Sequence, residues 1–286
     1  RVRVASRRPH LAQDLRVMSV VGQVQLVQAN LRVPSSVERA LDGASGVVNL
    51  VGVLNESGRQ TFSRLHALGA KTIAETAAAM GISRMIQISA IGASADSASR
   101  YARTKAEGEA AVLAALPEAT ILRPSIIFGP DGGILNLFAD LIASLPVLPV
   151  FAPDSPLQVV HVDDVAAAIT KALLDPSEFG GKIYELAGPD EWTMMELNQR
   201  IAKAQRRKRT FVPMPDSASA AFAAIPGTPM GTDQWRMLKA GSTASEGVPG
   251  FAALGIQPRP LELVIDHYMV RYRKHGRFAE KMDSAG

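Results

Sequence analysis

The sequence predicts an α/β protein built on a doubly wound parallel sheet, with a smaller, interleaved C-terminal lobe. Three observations predict it. Strand-like and helix-like stretches alternate from residue 1 to about residue 128. Two strands, Val47–Val53 and Met85–Ala90, are apolar almost throughout, the pattern of strands covered on both faces. After about Gly129 the rhythm turns irregular, and 213–250 is rich in Pro, Gly, Ala and Ser. Repeated β-α order demands parallel strands with helices on both faces. The reading assigns 1–175 to a nucleotide-binding domain and 176–286 to the lobe.

In chain order, Arg1–Ser6 alternates polar and apolar as a short strand, Pro9 ends it, and Leu11–Val17 can form a short helix. Gln23–Ala29 is the next strand, and Pro34 opens a helix to Leu41. The buried strand Val47–Val53 is followed by a long helix, Arg59 to Met80, which Gly81 stops. After the strand Met85–Ala90 comes an Ala/Glu-rich helix, Tyr101 to Leu116, closed by Pro117. Thr120–Phe128 reads as a strand interrupted by Pro124. Beyond it, Gln158–Val162 and Lys182–Leu186 read as strands. Val165–Leu174, Met194–Ala204 and Leu261–Tyr272 read as helices.

Composition excludes several chemistries. The chain of 286 residues has no cysteine, which removes disulfides, thiolate catalysis and cysteine zinc sites. Its five histidines show no paired ligand spacing, so no metal site is expected. Net charge is +4, mildly basic, which suits anionic small molecules and does not indicate nucleic acid. No apolar run reaches the roughly 20 residues that span a bilayer; the longest, Ile134–Phe151, contains Asn136, Asp140, Pro146 and Pro149.

The ordered motifs are Asn49-Leu-Val-Gly52, Tyr101-Ala-Arg-Thr-Lys105, Leu122-Arg-Pro-Ser125 with Phe128-Gly-Pro130, His161-Val-Asp-Asp-Val-Ala166 and Tyr184-Glu-Leu-Ala-Gly-Pro189. Singly each is weak. In this order and spacing they resemble the extended and atypical branches of the short-chain dehydrogenases, NAD(P)-binding proteins of Rossmann type. The stretch Val47–Leu54, the short Ser89–Tyr101 interval and Arg123-Pro-Ser narrow the resemblance. They point to the NADPH-binding alpha-subcomplex subunit 9 group of respiratory complex I and its bacterial relatives.

Such proteins open with a strand, a G-x-x-G-x-x-G turn and a helix, and residue 1 here already sits on what looks like the second strand. The first strand lies in the middle of the sheet. Its absence would leave a central gap with unpaired backbone groups buried on both sides, at a cost of several kcal/mol. The expectation is a truncated start, a misassigned codon or an unresolved segment, unless the sheet is rebuilt.

Ser6-Arg7-Arg8 follows the second strand where an acid would bind the ribose of NAD; arginines accommodate a 2′-phosphate, so NADP(H) is the expected cofactor. The bland alternative is a solvated basic turn. Asn30 and Leu31 stand where the resemblance implies adenine contacts. Val51, Gly52 and Val53 fall at a strand's carboxyl end, where ligands collect. Tyr101 and Lys105, four apart on a helix, share a face. The resemblance makes Tyr101 the general acid or base, with Lys105 holding the ribose and Ser89 as their partner. Ser94, Ser97 and Ser99 are alternatives to Ser89. Pro124 and Ser125 resemble a nicotinamide-side loop. Arg123 can pair with a phosphate or with an internal carboxylate. Asp164 is expected to cap a helix.

Two basic clusters, Arg206–Arg209 and Arg271, Arg273, Lys274, His275 and Arg277, lie beside an apolar helical face of Leu261, Val264, Ile265 and Tyr268. They suggest docking to anionic lipid headgroups or to a protein. The resemblance implies a non-catalytic NADPH-holding subunit among other subunits of a membrane respiratory complex. It would be peripheral, on the cytoplasmic face of a bacterial inner membrane or the mitochondrial matrix side. The alternative is an active NADP-dependent reductase, dehydrogenase or sugar-nucleotide epimerase acting on a small carbonyl substrate.

Overall fold

The computed structural model describes residues 1–225, 230–274 and 276. In chain order the elements are β1 (Val2–Ser6), β2 (Val24–Gln28), α1 (Pro34–Leu41), β3 (Val47–Asn49), α2 (Gly69–Ala79), β4 (Met85–Ile88), α3 (Arg100–Ala115), β5 (Thr120–Pro124) and β6 (Ile127–Phe128). There follow α4 (Ile134–Ser144), β7 (Val147–Val150), β8 (Pro156–Leu157), β9 (Val160–His161), α5 (Val162–Leu174), α6 (Pro176–Phe179), β10 (Ile183–Leu186) and β11 (Trp192–Thr193). The last are α7 (Met194–Ala204), β12 (Thr210–Pro213), α8 (Asp216–Ala224), α9 (Thr232–Ala240) and α10 (Leu261–Tyr268). The α/β class with parallel pairing is as the sequence predicts.

The chain forms two compact units, one of Arg1–Ile88, Thr104–Ile121 and Ala172–Lys182, the other of the remaining segments. In the first unit β1 and β2 pair in parallel, from Val2 against Val24 to Ser6 against Gln28. Strands β3 and β4 pair in parallel, Val47 against Met85 to Asn49 against Gln87. Val37, Leu41, Ile73, Ala74, Met85 and Ile86 are among the side chains buried in this unit. Strand β1 has β2 as its partner, and β3 is the edge of its sheet. Among the described residues no strand pairs with the other edge of β1, and Val2, Arg3 and Ala5 along that strand are exposed.

Several elements are shorter or differently wound than their patterns suggest. The segment Pro9–Met18 is a 3₁₀ helix with no buried residue, since its apolar side chains are not aligned against a core. Strand β3 keeps three residues of the seven-residue stretch Val47–Val53. The long helix begins as a π turn at Ser63–Leu68, where the Gly69 N–H donates to the Arg64 carbonyl five residues back. Pro124 splits the last strand in two, because proline cannot donate to a ladder.

The second unit has its own core, in which Leu135, Ile142, Leu157, Leu197, Ile201, Leu261 and Ile265 pack together. Short pairs frame it: β6–β9 parallel, β7–β12 parallel and β8–β11 antiparallel. Helix α7 starts with a reciprocal Thr193/Glu196 capping box. Arg200 on its buried side forks onto Glu262 at 2.7 Å and reaches Asp266, fixing α7 to α10. The stretch expected to be a loose lobe holds α8 and α9, joined by Trp235 packed with Ala152 and Ala223.

Candidate functional site

In the first unit, β1, β2 and β3 carry sequence-predicted residues just after their carboxyl ends, the edge at which parallel sheets bind ligands. After β1, the Arg8 N–H donates to Ser6 Oγ at 3.3 Å, and Gln28 Nε2 donates to the Arg7 carbonyl. This turn leaves both guanidinium groups exposed, with no ion pair among the described residues. After β2, Asn30 Oδ1 accepts from Arg32 N at 3.1 Å and Arg32 Nε at 3.4 Å. Its carbonyl is thus spent on the local turn. Leu31 lies on the π turn so closely that a Cβ on Gly69 would fall 2.6 Å from its Cδ1.

After β3 the chain folds over a buried polar cluster. Asn49 Nδ2 donates to Gln87 Oε1 at 2.8 Å across β3 and β4, and Asn49 Oδ1 accepts the Val51 N–H. The Val53 N–H donates to His66 Nε2 at 3.1 Å, and His66 Nδ1 lies 3.1 Å from Thr104 Oγ1. An acceptor at Nε2 assigns the proton to Nδ1, which donates to Thr104. Burial first, then the Lys105 ammonium, lowers the His66 pKa to about 4, so the ring is neutral at physiological pH. Lys105 Nζ donates to the Ile88 carbonyl at 3.2 Å and sits 3.4 Å from where a Gly52 Cβ would be. Its side chain is almost wholly buried, and burial pushes its pKa down to about 8 against the pull of Glu109. Gly52 is therefore open backbone against a buried cation, an arrangement that accepts hydroxyl or phosphate oxygens.

Sequence reasoning missed His66 and Thr104. The only signal was a histidine in the first turn of a long helix, and nothing in spacing pairs it with residue 104. The site also depends on glycine at 108. A Cβ there would lie 2.1 Å from the His66 carbonyl oxygen, so the two helices touch backbone to backbone.

The second unit holds the remaining predicted residues. Tyr101, on the first turn of α3, is buried, and desolvation pushes its phenol up to about 12. Ser89 is buried, its N–H donating to the Leu122 carbonyl, and its Oγ has no hydrogen-bond partner among the described residues. Arg123 meets an internal carboxylate, Glu185 Oε1 at 3.4 Å, while Glu185 Oε2 accepts the Ser245 N–H at 2.7 Å. Pro124 ends β5, and its carbonyl accepts the Ile91 N–H. Ser125 Oγ is held by Ser242, 2.8 Å from its hydroxyl and 2.9 Å from its carbonyl. Asp164 sits in the first turn of α5 and accepts the Arg259 N–H at 2.8 Å, a structural tie rather than a base.

The docking face expected on α10 is corrected by its burial. Leu261 and Ile265 are core residues, and Val264 and Tyr268 pack against the same core. Much of the basic character beside it is also spoken for. Arg209 Nε donates to the Ile142 carbonyl and Nη2 to that of Ala143, at the end of α4. Arg273 Nε donates to the Ala204 carbonyl at the end of α7, and Arg207 Nη2 to that of Tyr272. These close helix C-termini, whose carbonyls lack intrahelical donors. Arg271 stacks over the Tyr268 and Tyr272 rings. His275 and Arg277 lie outside the described residues. Among the described residues no helix is long and apolar enough to cross a membrane.

Comparison with known proteins gives the chain a family and a fold. Residues 1–187 match the family described as NAD dependent epimerase/dehydratase family. The mitochondrial NADH dehydrogenase [ubiquinone] 1 alpha subcomplex subunit 9 of Arabidopsis thaliana is 33% identical over 92% of this chain and 69% of its own length. A ceramide reductase of Caulobacter vibrioides is 32% identical over 76% of this chain and 66% of its own. In fold, the NADPH-dependent quinone oxidoreductase QOR2 of Escherichia coli superposes with a TM-score of 0.73 at 20% identity, over 93% of this chain and 89% of that one. The chain belongs to the NAD dependent epimerase/dehydratase family, and within it is similar to the alpha subcomplex subunit 9 proteins.

Proposed function

We propose that this chain binds NADPH along the carboxyl edge of its parallel strands and serves as an accessory subunit of respiratory complex I, the nucleotide acting as a structural element. The observation that carries the nucleotide half is the buried Lys105 ammonium facing the open backbone of Gly52. An ammonium beside glycine backbone offers a charged donor where hydroxyl or phosphate oxygens can approach closely. Arg7 and Arg8 would hold the 2′-phosphate, Gly52 and Val53 the backbone contacts, and Lys105 the nicotinamide ribose. When bound, the cofactor supplies hydride chemistry; in this reading it contributes fold stability by mass action instead. Similarity to the subunit 9 proteins across nine-tenths of the chain supports the complex I half. Residues 1–175 would carry the nucleotide and 176–286 the partner contacts. The protein would sit peripherally on the cytoplasmic or matrix side of the membrane.

A second reading, an active NADP-dependent reductase, is favoured by Tyr101 and Lys105 on one helix and by the similarity to a ceramide reductase. There Tyr101 would supply the proton to a carbonyl oxygen, and a phenol pKa raised by burial would have to fall when the cofactor binds.

Titration of the purified protein with NADPH and NADH separates these readings. Each arginine-to-phosphate bond is worth about 1.5–3 kcal/mol. Arg7→Ala or Arg8→Ala alone is therefore expected to weaken NADPH roughly 10- to 100-fold and leave NADH unchanged. Equal losses for both nucleotides sink the assignment of the arginines. Turnover of a carbonyl panel that vanishes in Tyr101→Phe overturns the accessory reading. Co-purification with complex I subunits, unchanged in Tyr101→Phe, supports it.

A further inference from the structure

The helix that bears Tyr101 and Lys105 begins at Arg100, and the first N–H groups of any helix need acceptors from outside it. Here they come from a residue more than 130 positions away. Asp233, in the first turn of α9, accepts the Arg100 N–H on Oδ1 at 2.7 Å and the Tyr101 N–H on Oδ2 at 3.0 Å. The Ser99 hydroxyl donates to the same Oδ2 at 2.9 Å, and Ser99 Oγ accepts the Ala102 N–H at 3.3 Å. Three successive amides are thus satisfied by one carboxylate and one serine. A second strut is Arg236 Nη1, donating to the Ala98 carbonyl at 3.2 Å. Both come from α9, whose Trp235 is buried with Ala152 and Ala223.

We propose that Asp233 is the positioning residue for Tyr101: it fixes the turn that carries the phenol and makes the seating of that side chain depend on α9. The proposal rests on the second reading above, in which Tyr101 acts beside the nicotinamide end of a bound NADPH. Helix capping alone does not need it. Ser99 occupies the capping position and serves Ala102, so a local cap is present without α9. What Asp233 adds is a charge-assisted pair of bonds to Arg100 and to Tyr101 itself, from an element anchored elsewhere in the unit. A carboxylate at this position also complements the positive end of the helix dipole. Thr232 Oγ1 donates to the Ala223 carbonyl beside it, so α9 is tied to α8 on the other side of the clamp.

The test uses Asp233→Asn and, as a gentler change, Asp233→Glu, in the full chain and in the Tyr101→Phe background. With 3-fluorotyrosine incorporated, the Tyr101 ¹⁹F resonance is assigned by its loss in Tyr101→Phe. Asp233→Asn is expected to shift and broaden that resonance while those of Tyr184 and Tyr268 stay fixed. NADPH affinity is expected to fall about tenfold in the otherwise native chain and less than twofold when Tyr101 is already Phe. Asp233→Glu should recover most of the affinity.

An unchanged Tyr101 resonance in Asp233→Asn overturns the proposal whether or not the protein binds nucleotide. Equal affinity losses in the Tyr and Phe backgrounds overturn it as well, because they assign Asp233 a general structural role. Absence of NADPH binding in the native chain removes the functional reading but leaves the resonance to decide the positioning claim.

Discussion

Replacing Gly108 with alanine sets two physical effects against each other, and they predict opposite signs. Gly108 is inside α3, where alanine is worth about 1 kcal/mol more than glycine in helix propensity. On propensity alone Gly108→Ala stabilises. The added Cβ, however, falls 2.1 Å from the His66 carbonyl oxygen and 3.1 Å from its carbon. That is more than about 1 Å inside the contact distance of non-bonded heavy atoms. The obstacle is backbone, so no rotamer change relieves it; α3 and the π turn must move apart. Overpacking of this kind costs about 3 kcal/mol at the upper end of its usual range. The net expectation is a loss of about 2 kcal/mol, or about 4–8 °C in melting temperature. The displacement also pulls His66 from Val53 and Thr104, so nucleotide affinity should fall with stability. Thermal and urea melts of the nucleotide-free proteins measure the first effect, and NADPH titration well below the melting temperature measures the second. A Gly108→Ala protein that melts higher than its parent and binds NADPH equally well refutes the backbone contact and the role given to His66.

His66 predicts a pH dependence of stability. Its folded pKa of about 4 lies below the unfolded value of 6.5, so its contribution is full above pH 6.5 and lost as pH falls toward 4. Allowing for solvent screening, this amounts to about 2 kcal/mol, and in His66→Gln the stability slope between pH 6.5 and 4 should flatten. Lys105 predicts a trade. Its pKa of about 8, against 10.5 unfolded, means that stability rises with pH between 8 and 10.5 and carries the full burial penalty at neutral pH. Lys105→Met removes that penalty but leaves the buried Glu109 without its cation, so it should gain little stability at neutral pH while NADPH affinity falls at least tenfold. A mutant that keeps its affinity removes Lys105 from the site.

The fold was legible where pattern is local. The strand Met85–Ile88 and the helix of Tyr101 declare themselves by burial period and composition, and the order of the motifs fixes which strand end carries which residue. Tyr101, Lys105, Gly52 and the two arginines could be named because each follows a recognisable strand or opens a recognisable helix. What stayed hidden depends on partners far away in the chain. Nothing near residue 66 says that its ring will bridge Val53 and Thr104. Nothing near residue 123 decides between a phosphate and Glu185. Asp233 lies in a stretch whose composition suggested loose structure, and its role depends on where α9 packs. The π turn at Ser63–Leu68 is a similar case: its extra residue appears as a shift of register only when Gly69 must approach both Arg64 and Leu31.

Cations in this chain divide by what their donors meet, and that division bears on function more than their number does. Arg3 donates to the Ala40 and Asp42 carbonyls, Arg209 to the end of α4, and Arg273 to the end of α7. Each completes a helix terminus that would otherwise leave carbonyls without donors. Their charge raises the isoelectric point to about 9.5 without making a binding surface. Arg7 and Arg8 close no helix, and Lys105 is held inside the protein, where its ammonium donates to the Ile88 carbonyl and feels the pull of Glu109. A basic sequence alone cannot separate these classes, since capping arginines and ligand arginines have the same local composition. Tracing each guanidinium or ammonium to its acceptor does separate them. Arg7, Arg8 and Lys105 are the cations beside the carboxyl ends of β1, β3 and β4, where in the proposed reading an anionic dinucleotide would lie.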